Sequence, residues 1–162
     1  MTDIDWDELR RVATDAMARA YAPAISETAI AMLLALTRGL NKYYVPQFQQ
    51  KKWNAERNLV EVDGMTMGIV GMGGLGSFTA MRAHYGFNMR ILATDAKPMD
   101  KPIFVDVLRE PGWFAEMVPQ VDILVSAAPL TKETKGMFNE QVFRAMKRSA
   151  FFINISRGGL VD

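Results

Sequence analysis

The stretch Met-Thr-Met-Gly-Ile-Val-Gly-Met-Gly-Gly-Leu-Gly, residues 65–76, determines the fold that this sequence predicts. It contains a continuous apolar run, Met67 to Val70, which is typical of a short strand buried on both faces. The glycines of residues 71–76 follow the pattern G-x-G-x-x-G. Ser77 to Tyr85 is predicted to be a helix, and Gly86 is predicted to end it in a left-handed conformation. A strand thus leads through a glycine-rich turn into a helix.

A second predicted strand, Asn88 to Thr94, follows this helix and is closed by Asp95. Gly71 permits a tight turn, Gly73 lets the backbone approach a pyrophosphate, and Gly76 lets the helix pack on the strand. The unpaired first amides of the helix form an anion site. Asp95 stands 24 residues beyond Gly71 and can accept the ribose hydroxyls of an adenosine. The pattern predicts a dinucleotide site; a flexible surface loop, the alternative, would not need buried strands on either side.

The rest of the chain repeats the alternation of strand and helix. The predicted elements are a short strand at Ile103 to Leu108, a helical turn or two at Pro111 to Met117 with Trp113 and Phe114 inward, a buried strand at Val121 to Pro129, a helix capped by Asn139 with Val142, Phe143 and Met146 on its apolar face, and a buried strand at Ala150 to Ile155. This alternation predicts an α/β fold with a Rossmann-type, doubly wound parallel sheet. Ligands of such sheets lie beyond the carboxyl ends of the strands. The residues predicted at that edge are Gly73 to Leu75, Asp95, Ala128, Pro129, Ser156 and Arg157.

The N-terminal part of the sequence predicts two helices. Thr2 to Ala20 is charged and rich in alanine, and Tyr21 to Pro23 is expected to break it, with Pro23 as the first residue of the next helix. That helix, residues 23–40, is apolar around much of its circumference, so we expect it to be buried or packed against another subunit. Gly39 and Pro46 end the pattern, and the polar segment from Lys51 to Glu61 leads to the first strand.

Composition narrows the class of protein. The 162 residues are sufficient for one domain, and 49% apolar and 23% charged residues are ordinary for a globular protein. A net charge of +1 argues against nucleic acid as a partner, and the absence of Cys excludes disulfides and thiolate metal sites, so no metal site is predicted. The sequence predicts no apolar run of membrane-spanning length, and a cytoplasmic protein is expected.

Four segments resemble the NAD-binding domain of the D-isomer-specific 2-hydroxyacid dehydrogenases, the family of D-lactate, D-glycerate and D-3-phosphoglycerate dehydrogenases. They are residues 24–29, similar to the interdomain helix V-A-E-x-x-x; the glycine fingerprint with Asp95; residues 122–124, 128–131 and Thr134, similar to D-V-V…P-L-T-x-x-T; and residues 146–147 with 153–162, similar to M-K…I-N-x-x-R-G-x-x-V-D. The resemblance covers about residues 22–162, and its last segment is the most specific.

The resemblance implies a role for each matching residue. The implied cofactor-binding residues are Gly71, Gly73, Gly74, Leu75, Gly76, Asp95, Ala128, Pro129, Thr134, Ile155, Ser156 and Arg157, with the amides of Gly74 and Leu75 on the pyrophosphate and Ile155 and Ser156 beside the nicotinamide ribose. Arg157 matches the catalytic arginine, which holds the carboxylate and carbonyl of a 2-oxo acid. A planar guanidinium suits that task because it makes two parallel hydrogen bonds to a carboxylate. The alternative is that Arg157 caps a strand end or pairs with Asp162.

The resemblance also implies parts that are missing. The family's proton donor is a His oriented by a Glu, and both follow the R-G-x-x-V-D signature, where this sequence stops. The single histidine, His84, is expected at the surface or end of its helix, facing away from the cofactor. We therefore expect an incomplete dehydrogenase, either an excised domain, a truncated reading frame or a degraded relative, that is inactive alone. Residues 1–20 would be a remnant of, or linker to, the substrate domain, and residues 21–162 the NAD-binding domain.

Two function classes follow from this sequence. In the first, the chain belongs to an oxidoreductase that transfers a hydride between NAD(H) and a D-2-hydroxy or 2-oxo acid. In the second, it is a nucleotide-binding or subunit-interaction module without turnover. NAD is expected rather than NADP because Asp95 would repel a 2′-phosphate, although Lys97 could bind one. The family's use of the helix at residues 23–40 in its dimer interface implies a homodimer.

Overall fold

The computed structural model describes residues 5–54 and 58–162, and its centre is a five-stranded sheet. In chain order the strands are β1 (Thr66–Val70), β2 (Arg90–Thr94), β3 (Val107–Arg109), β4 (Ile123–Ser126) and β5 (Phe151–Asn154). They lie side by side in the order β3-β2-β1-β4-β5, and every neighbouring pair is parallel. The predicted doubly wound α/β fold is therefore confirmed.

The described residues also form five α-helices. They are α1 (Trp6–Thr37), α2 (Val45–Gln50), α3 (Gly74–Phe87), α4 (Phe114–Met117) and α5 (Glu140–Ala145), with a π-helical turn at Leu40–Tyr44 and 3₁₀ turns at Pro111–Trp113, Val118–Gln120 and Gly158–Leu160. Asn139 caps α5 as predicted, because its Oδ1 accepts the backbone N–H of Val142 at 3.1 Å.

Alternate strand residues point to opposite faces of the sheet, and an apolar cluster buries each face. One apolar cluster joins the sheet to α1 and α3, and its members include Leu33, Ala80, Ile69, Ile91, Ile123 and Ile153. The second cluster lies on the other face and includes Val70, Leu92, Leu124, Met117 and Phe138, against which Trp113 and Phe114 pack. Full burial of each Ile or Leu stabilises the fold by about 1.5–3 kcal/mol.

The predicted break at Pro23 is wrong, because α1 continues through it from Trp6 to Thr37. A proline inside a helix removes one backbone hydrogen bond and costs about 3 kcal/mol. The fully buried side chains of Ala22 and Ser26 flank Pro23, and the Ser26 hydroxyl donates to the Pro23 carbonyl at 2.7 Å. Packing of this face therefore offsets the loss. The helix also ends earlier than predicted, and residues 2–4 of the first predicted helix, like 55–57 of the polar segment, lie outside the described residues.

The apolar half of α1 corrects a second expectation. Residues Ala20–Thr37 form an 18-residue window of mean hydropathy 1.4, which is long and apolar enough to cross a membrane by length and composition alone. The buried residues in this window are Ala22, Ser26, Ala29, Leu33 and Thr37. Glu27 forms an ion pair with Arg82 of α3 at 3.2 Å. A helix packed on the core of a domain passes the same test, and these contacts are features of such a helix.

The end of α3 differs from the prediction as well. Gly86 lies within the helix, and Asn88 is the residue in the left-handed conformation, with φ of 51°. Asparagine is the non-glycine residue that most often tolerates this conformation at a helix end. Because Asn88 ends the helix, β2 begins two residues later than predicted, at Arg90.

Candidate functional site

Two glycines allow the turn after β1 to pack closely. Gly71 has φ of 95°, and a Cβ at this position would stand 2.8 Å from the backbone of Ala128. A Cβ on Gly76 would overlap the carbonyl oxygen of Gly71 and touch the Ile69 side chain. Side chains at Gly71 and Gly76 would therefore separate β1, α3 and the end of β4.

Gly73, in contrast, faces open space. A Cβ built on it meets no atom within 4 Å, and its backbone is extended, with φ of −65° and ψ of −163°. Gly73 precedes the first turn of α3, where the amides of Gly74 and Leu75 have no acceptor inside the helix. Free amides and the positive end of a helix dipole attract a phosphate group. The space beside Gly73 therefore fits a pyrophosphate.

Asp95 lies at the neighbouring strand end and contacts the same turn. Its Oδ2 accepts the backbone N–H of Met72 at 2.6 Å, and its Oδ1 accepts the N–H of Lys97 at 2.7 Å. The amide of Gly71 donates to the carbonyl of Thr94 at 2.8 Å, so two hydrogen bonds hold the turn against the end of β2. A carboxylate has about four lone-pair sites, and two remain for hydroxyl donors.

The segment after β4 lies beside the glycine turn and forms, with it, the two sides of a candidate cofactor cleft. Ala128 is buried beside Gly71, and Pro129 follows it. The hydroxyl of Thr134 donates to the Pro129 carbonyl at 2.6 Å and accepts the N–H of Thr131 at 2.8 Å. Because Thr134 uses its only hydroxyl proton in this bond, its role is to shape the turn. The sequence motif did not indicate this role.

The segment after β5 carries Ile155, Ser156 and Arg157. Ile155 is buried, and its amide donates to the Ser126 carbonyl at 3.1 Å, which continues the pairing of β4 with β5. The Ser156 hydroxyl lies 2.7 Å from that of Ser126. Sequence reasoning did not select Ser126, although a serine that ends the run Ile-Leu-Val-Ser is a polar residue in an otherwise apolar buried strand.

The guanidinium of Arg157 is exposed at this edge. Within residues 5–54 and 58–162 it forms no ion pair, so the alternative pairing with Asp162 does not occur. Its Nη1 donates to the carbonyl of Ser156 at 3.1 Å. Most of its donors therefore remain available to an anionic ligand.

His84 lies at the opposite end of the sheet, as predicted. It occupies the last turn of α3, and its Nδ1 lies 3.2 Å from the carbonyl of Met89, just before β2 begins. The helix rises about 15 Å between Gly74 and His84 at 1.5 Å per residue. The imidazole is therefore remote from the glycine turn.

A parallel sheet with a glycine-rich turn, an open phosphate space and an acidic residue at the next strand end defines a dinucleotide-binding domain. Comparison with known proteins specifies which one. Residues 30–162 match the model of the family described as D-isomer specific 2-hydroxyacid dehydrogenase, NAD binding domain. The chain therefore belongs to the D-isomer specific 2-hydroxyacid dehydrogenase family, and NAD is the cofactor of this domain.

Individual relatives agree with this assignment. The chain is 31% identical over 145 residues to glycerate dehydrogenase of Methylorubrum extorquens, covering 85% of this chain and 43% of that protein. It is 36% identical over 146 residues to glyoxylate reductase of Pyrococcus horikoshii, covering 86% and 43%. The crystal structure of D-lactate dehydrogenase from Aquifex aeolicus complexed with NAD and lactic acid superposes with a TM-score of 0.78 at 27% identity, covering 88% of this chain and 43% of that one. The chain thus spans less than half the length of these three proteins.

Proposed function

We propose that this chain is the NAD-binding part of an oxidoreductase that transfers a hydride between NAD(H) and a D-2-hydroxy or 2-oxo acid. The observation that supports this most is the exposed guanidinium of Arg157, unpaired among the described residues, on the strand edge that also carries the glycine turn. NAD supplies the hydride when bound, and Arg157 holds the substrate carboxylate beside it. Because the chain spans less than half of its relatives, the activity is proposed for the whole protein.

The cofactor would lie across the cleft between the two halves of the sheet. The amides of Gly74 and Leu75 hold the pyrophosphate, and the two free lone-pair sites of Asp95 accept ribose hydroxyls. Ala128 and Pro129 line the cleft. Ile155 and Ser156 lie beside the nicotinamide ribose, and Thr134 supports this side through its bond to Pro129.

A second candidate function is a nucleotide-binding or subunit-interaction module without turnover. The position of His84 favours it, because the only imidazole of this sequence lies at the far end of α3 from the cleft. Reduction of a 2-oxo acid needs a proton donor, and general acid catalysis typically contributes about 10²- to 10⁴-fold. We therefore propose that this chain alone binds NADH and is inactive.

Loss of NADH absorbance with glyoxylate, pyruvate and hydroxypyruvate tests whether this chain alone catalyses the reaction. The chain and its His84→Ala, Arg157→Ala and Arg148→Ala variants are compared, where Arg148 is a second exposed arginine, outside the cleft. NADH binding without turnover supports the proposal that this chain alone is inactive. Turnover lost in Arg157→Ala but kept in Arg148→Ala supports an active enzyme, and turnover abolished by His84→Ala contradicts the role given to His84. Absence of NADH binding contradicts the first function and a nucleotide-binding module, and leaves only the subunit-interaction module.

We also propose a homodimer through the helix at residues 23–40. Met32 and Leu36 stand four residues apart on α1 and are 44% and 41% exposed, so they form an apolar stripe on the exposed side of that helix. Leu40, beyond the left-handed Gly39 that follows α1, is 43% exposed. A self-complementary contact between two copies is the commonest way to bury such a stripe.

The remaining expectations stay proposals. These are a cytoplasmic location, no nucleic-acid or membrane partner, and the assignment of residues 1–20 to a remnant of, or linker to, the substrate domain. The net charge of +1 supports the absence of a nucleic-acid partner. Cell fractionation and a salt-dependent DNA-binding assay test the first two.

A further inference from the structure

The turn that presents Arg157 is held by the side chain of Asn154, the last residue of β5. Asn154 Oδ1 accepts the backbone N–H of Ser156 at 3.0 Å and the Ser156 hydroxyl at 2.8 Å. Asn154 Nδ2 donates to the carbonyl of Arg157 at 3.1 Å. The oxygen and the nitrogen of this side-chain amide therefore bind the second and third residues after Asn154.

These contacts fix the direction of the whole hydrogen-bond chain. A backbone N–H donates only, so the atom that faces Ser156 must be Oδ1, and the atom that faces the Arg157 carbonyl must be Nδ2. The Ser156 hydroxyl has one proton and gives it to Asn154. The Ser126 hydroxyl, 2.7 Å away, must then be the donor to Ser156. Ser126 is fully buried and is paired in register with Asn154, so the chain starts from a rigid point of the sheet.

The direction of the Arg157 side chain depends on this support. Its guanidinium is exposed and contacts the protein through the Ser156 carbonyl, which belongs to the same turn. Its own carbonyl accepts from Asn154 and from the amide of Leu160 at 3.2 Å. The backbone at Arg157 is thus held from the strand side by Asn154 and from the following 3₁₀ turn by Leu160.

We propose that Asn154 is a positioning residue that holds Ser156 and Arg157 in the geometry needed for a 2-oxo acid carboxylate to bind beside the nicotinamide. The inference rests on the proposed function, since it assigns Asn154 an effect on the same carboxylate site. A group that orients a ligand must be held to within about 0.5 Å, and side chains behind it supply that constraint. Asn154 touches neither cofactor nor substrate and acts through Arg157.

The test measures binding of NADH and then of oxamate, a non-reacting 2-oxo acid analogue, to the NADH complex. Asn154→Ala is expected to leave NADH affinity within about twofold and to weaken oxamate about tenfold or more, which is about 1.4 kcal/mol. Asn139→Ala is the matched control, because Asn139 also holds a backbone amide but caps α5. It is expected to lower stability and leave oxamate affinity unchanged. Asn154→Ser, which adds no charge but is too short to bind both Ser156 and the Arg157 carbonyl, replaces the alanine variant if that variant does not fold. The same small effect on NADH affinity and large effect on oxamate affinity are expected.

Failure of this inference is distinguishable from failure of the proposed function. Oxamate affinity that is unchanged in Asn154→Ala but lost in Arg157→Ala overturns the role of Asn154 alone. Equal losses of oxamate affinity in Asn154→Ala and Asn139→Ala also overturn it, because they indicate a general effect on stability. A wild-type NADH complex that binds no oxamate overturns this inference alone, because Arg157 then holds no carboxylate in this chain. Absence of NADH binding, or an Arg157→Ala variant that binds oxamate as wild type does, overturns the proposed function and the inference with it.

Discussion

Asp95 and Met72 are joined by a short hydrogen bond, 2.6 Å from the backbone nitrogen of Met72 to Asp95 Oδ2. The bond connects the end of β2 to the middle of the glycine turn. A carboxylate that accepts a backbone amide is held in place before any ligand arrives, and so is the amide. The residue expected to bind the ribose therefore also fixes the turn expected to bind the pyrophosphate.

Substitution of Asp95 should change both affinity and cofactor choice. We expect wild type to bind NADH more tightly than NADPH, because an ionised carboxylate repels a 2′-phosphate. Asp95→Asn removes that charge. It should weaken NADH binding about tenfold, since a hydrogen bond to a charged group contributes about 1.5–3 kcal/mol, and it should reduce the preference for NADH over NADPH. Fluorescence titration with both nucleotides measures this, with Asp63→Asn as an exposed control. Tighter binding of NADPH by wild type would contradict the predicted NAD preference.

Three glycine substitutions should separate folding from binding. Gly71→Ala and Gly76→Ala should lower stability by about 1–3 kcal/mol or more, because of the positive φ at Gly71 and the overlap with its carbonyl oxygen at Gly76. Gly73→Ala should fold like wild type yet bind NADH weakly, since its methyl group enters the space proposed for the pyrophosphate. Gly112→Ala also meets nothing within 4 Å and is the control. Urea unfolding and NADH titration give the two quantities, and full NADH affinity in Gly73→Ala would refute this placement.

Acid should destabilise the chain through Asp122. Burial raises the pKa of Asp122, while hydrogen bonds from Lys147 at 2.8 Å and the Thr66 amide at 3.0 Å outweigh it and lower the pKa below 3.8. A carboxyl whose pKa is lower in the folded state stabilises that state above the unfolded pKa, and the contribution is lost as pH falls through the folded pKa. The loss is therefore expected below about pH 4.

Asp122→Asn isolates this contribution. The variant should be less stable than wild type at pH 7, and the difference should shrink at pH 3 in urea unfolding. An equal difference in the free energy of unfolding at both pH values would show that the charge of the Asp122 carboxylate does not contribute to stability.

Charge in the apolar stripe of α1 should prevent dimer formation. Leu36→Glu places a charge beside Met32 in this stripe, and light scattering should then give the mass of a monomer where wild type is expected to give that of a dimer. Ala31→Glu, on an exposed position of the same helix away from the stripe, should remain dimeric. A wild-type mass that stays monomeric at every concentration would rule the proposed dimer out.

Local pattern predicted the elements on which the cofactor site depends. The apolar run at Met67 to Val70 is β1 to within one residue, and Asp95 lies beside the glycine turn, because strand burial and turn chemistry are encoded in neighbouring residues. The error at Pro23 arose because packing of α1 against α3 is a tertiary effect that periodicity does not contain. The error at Gly86 had a similar origin, since either Gly86 or Asn88 could adopt the left-handed conformation.

Side-chain networks were less accessible to sequence reasoning. Asn154 and Ser126 are 28 residues apart and become neighbours only through the pairing of β4 with β5. Nothing in the spacing of either residue indicates a hydrogen-bond chain. The one sequence feature that marks them is a polar side chain at the end of a buried strand. For Asn154, the family motif I-N-x-x-R-G already accounted for that polar residue.

The central place of β1 has a consequence for how the chain reaches its native state. β1 and β2 pair across a single helix, so this first unit closes over a short loop. Residues 66 and 122, in contrast, are 56 positions apart in the sequence, and such distant contacts form slowly. The wall formed by Ala128 beside Gly71 does not exist until β4 has docked. A chain in which β4 has not docked therefore has the glycine turn but lacks this wall, so bound NAD is expected to stabilise the chain with the completed sheet.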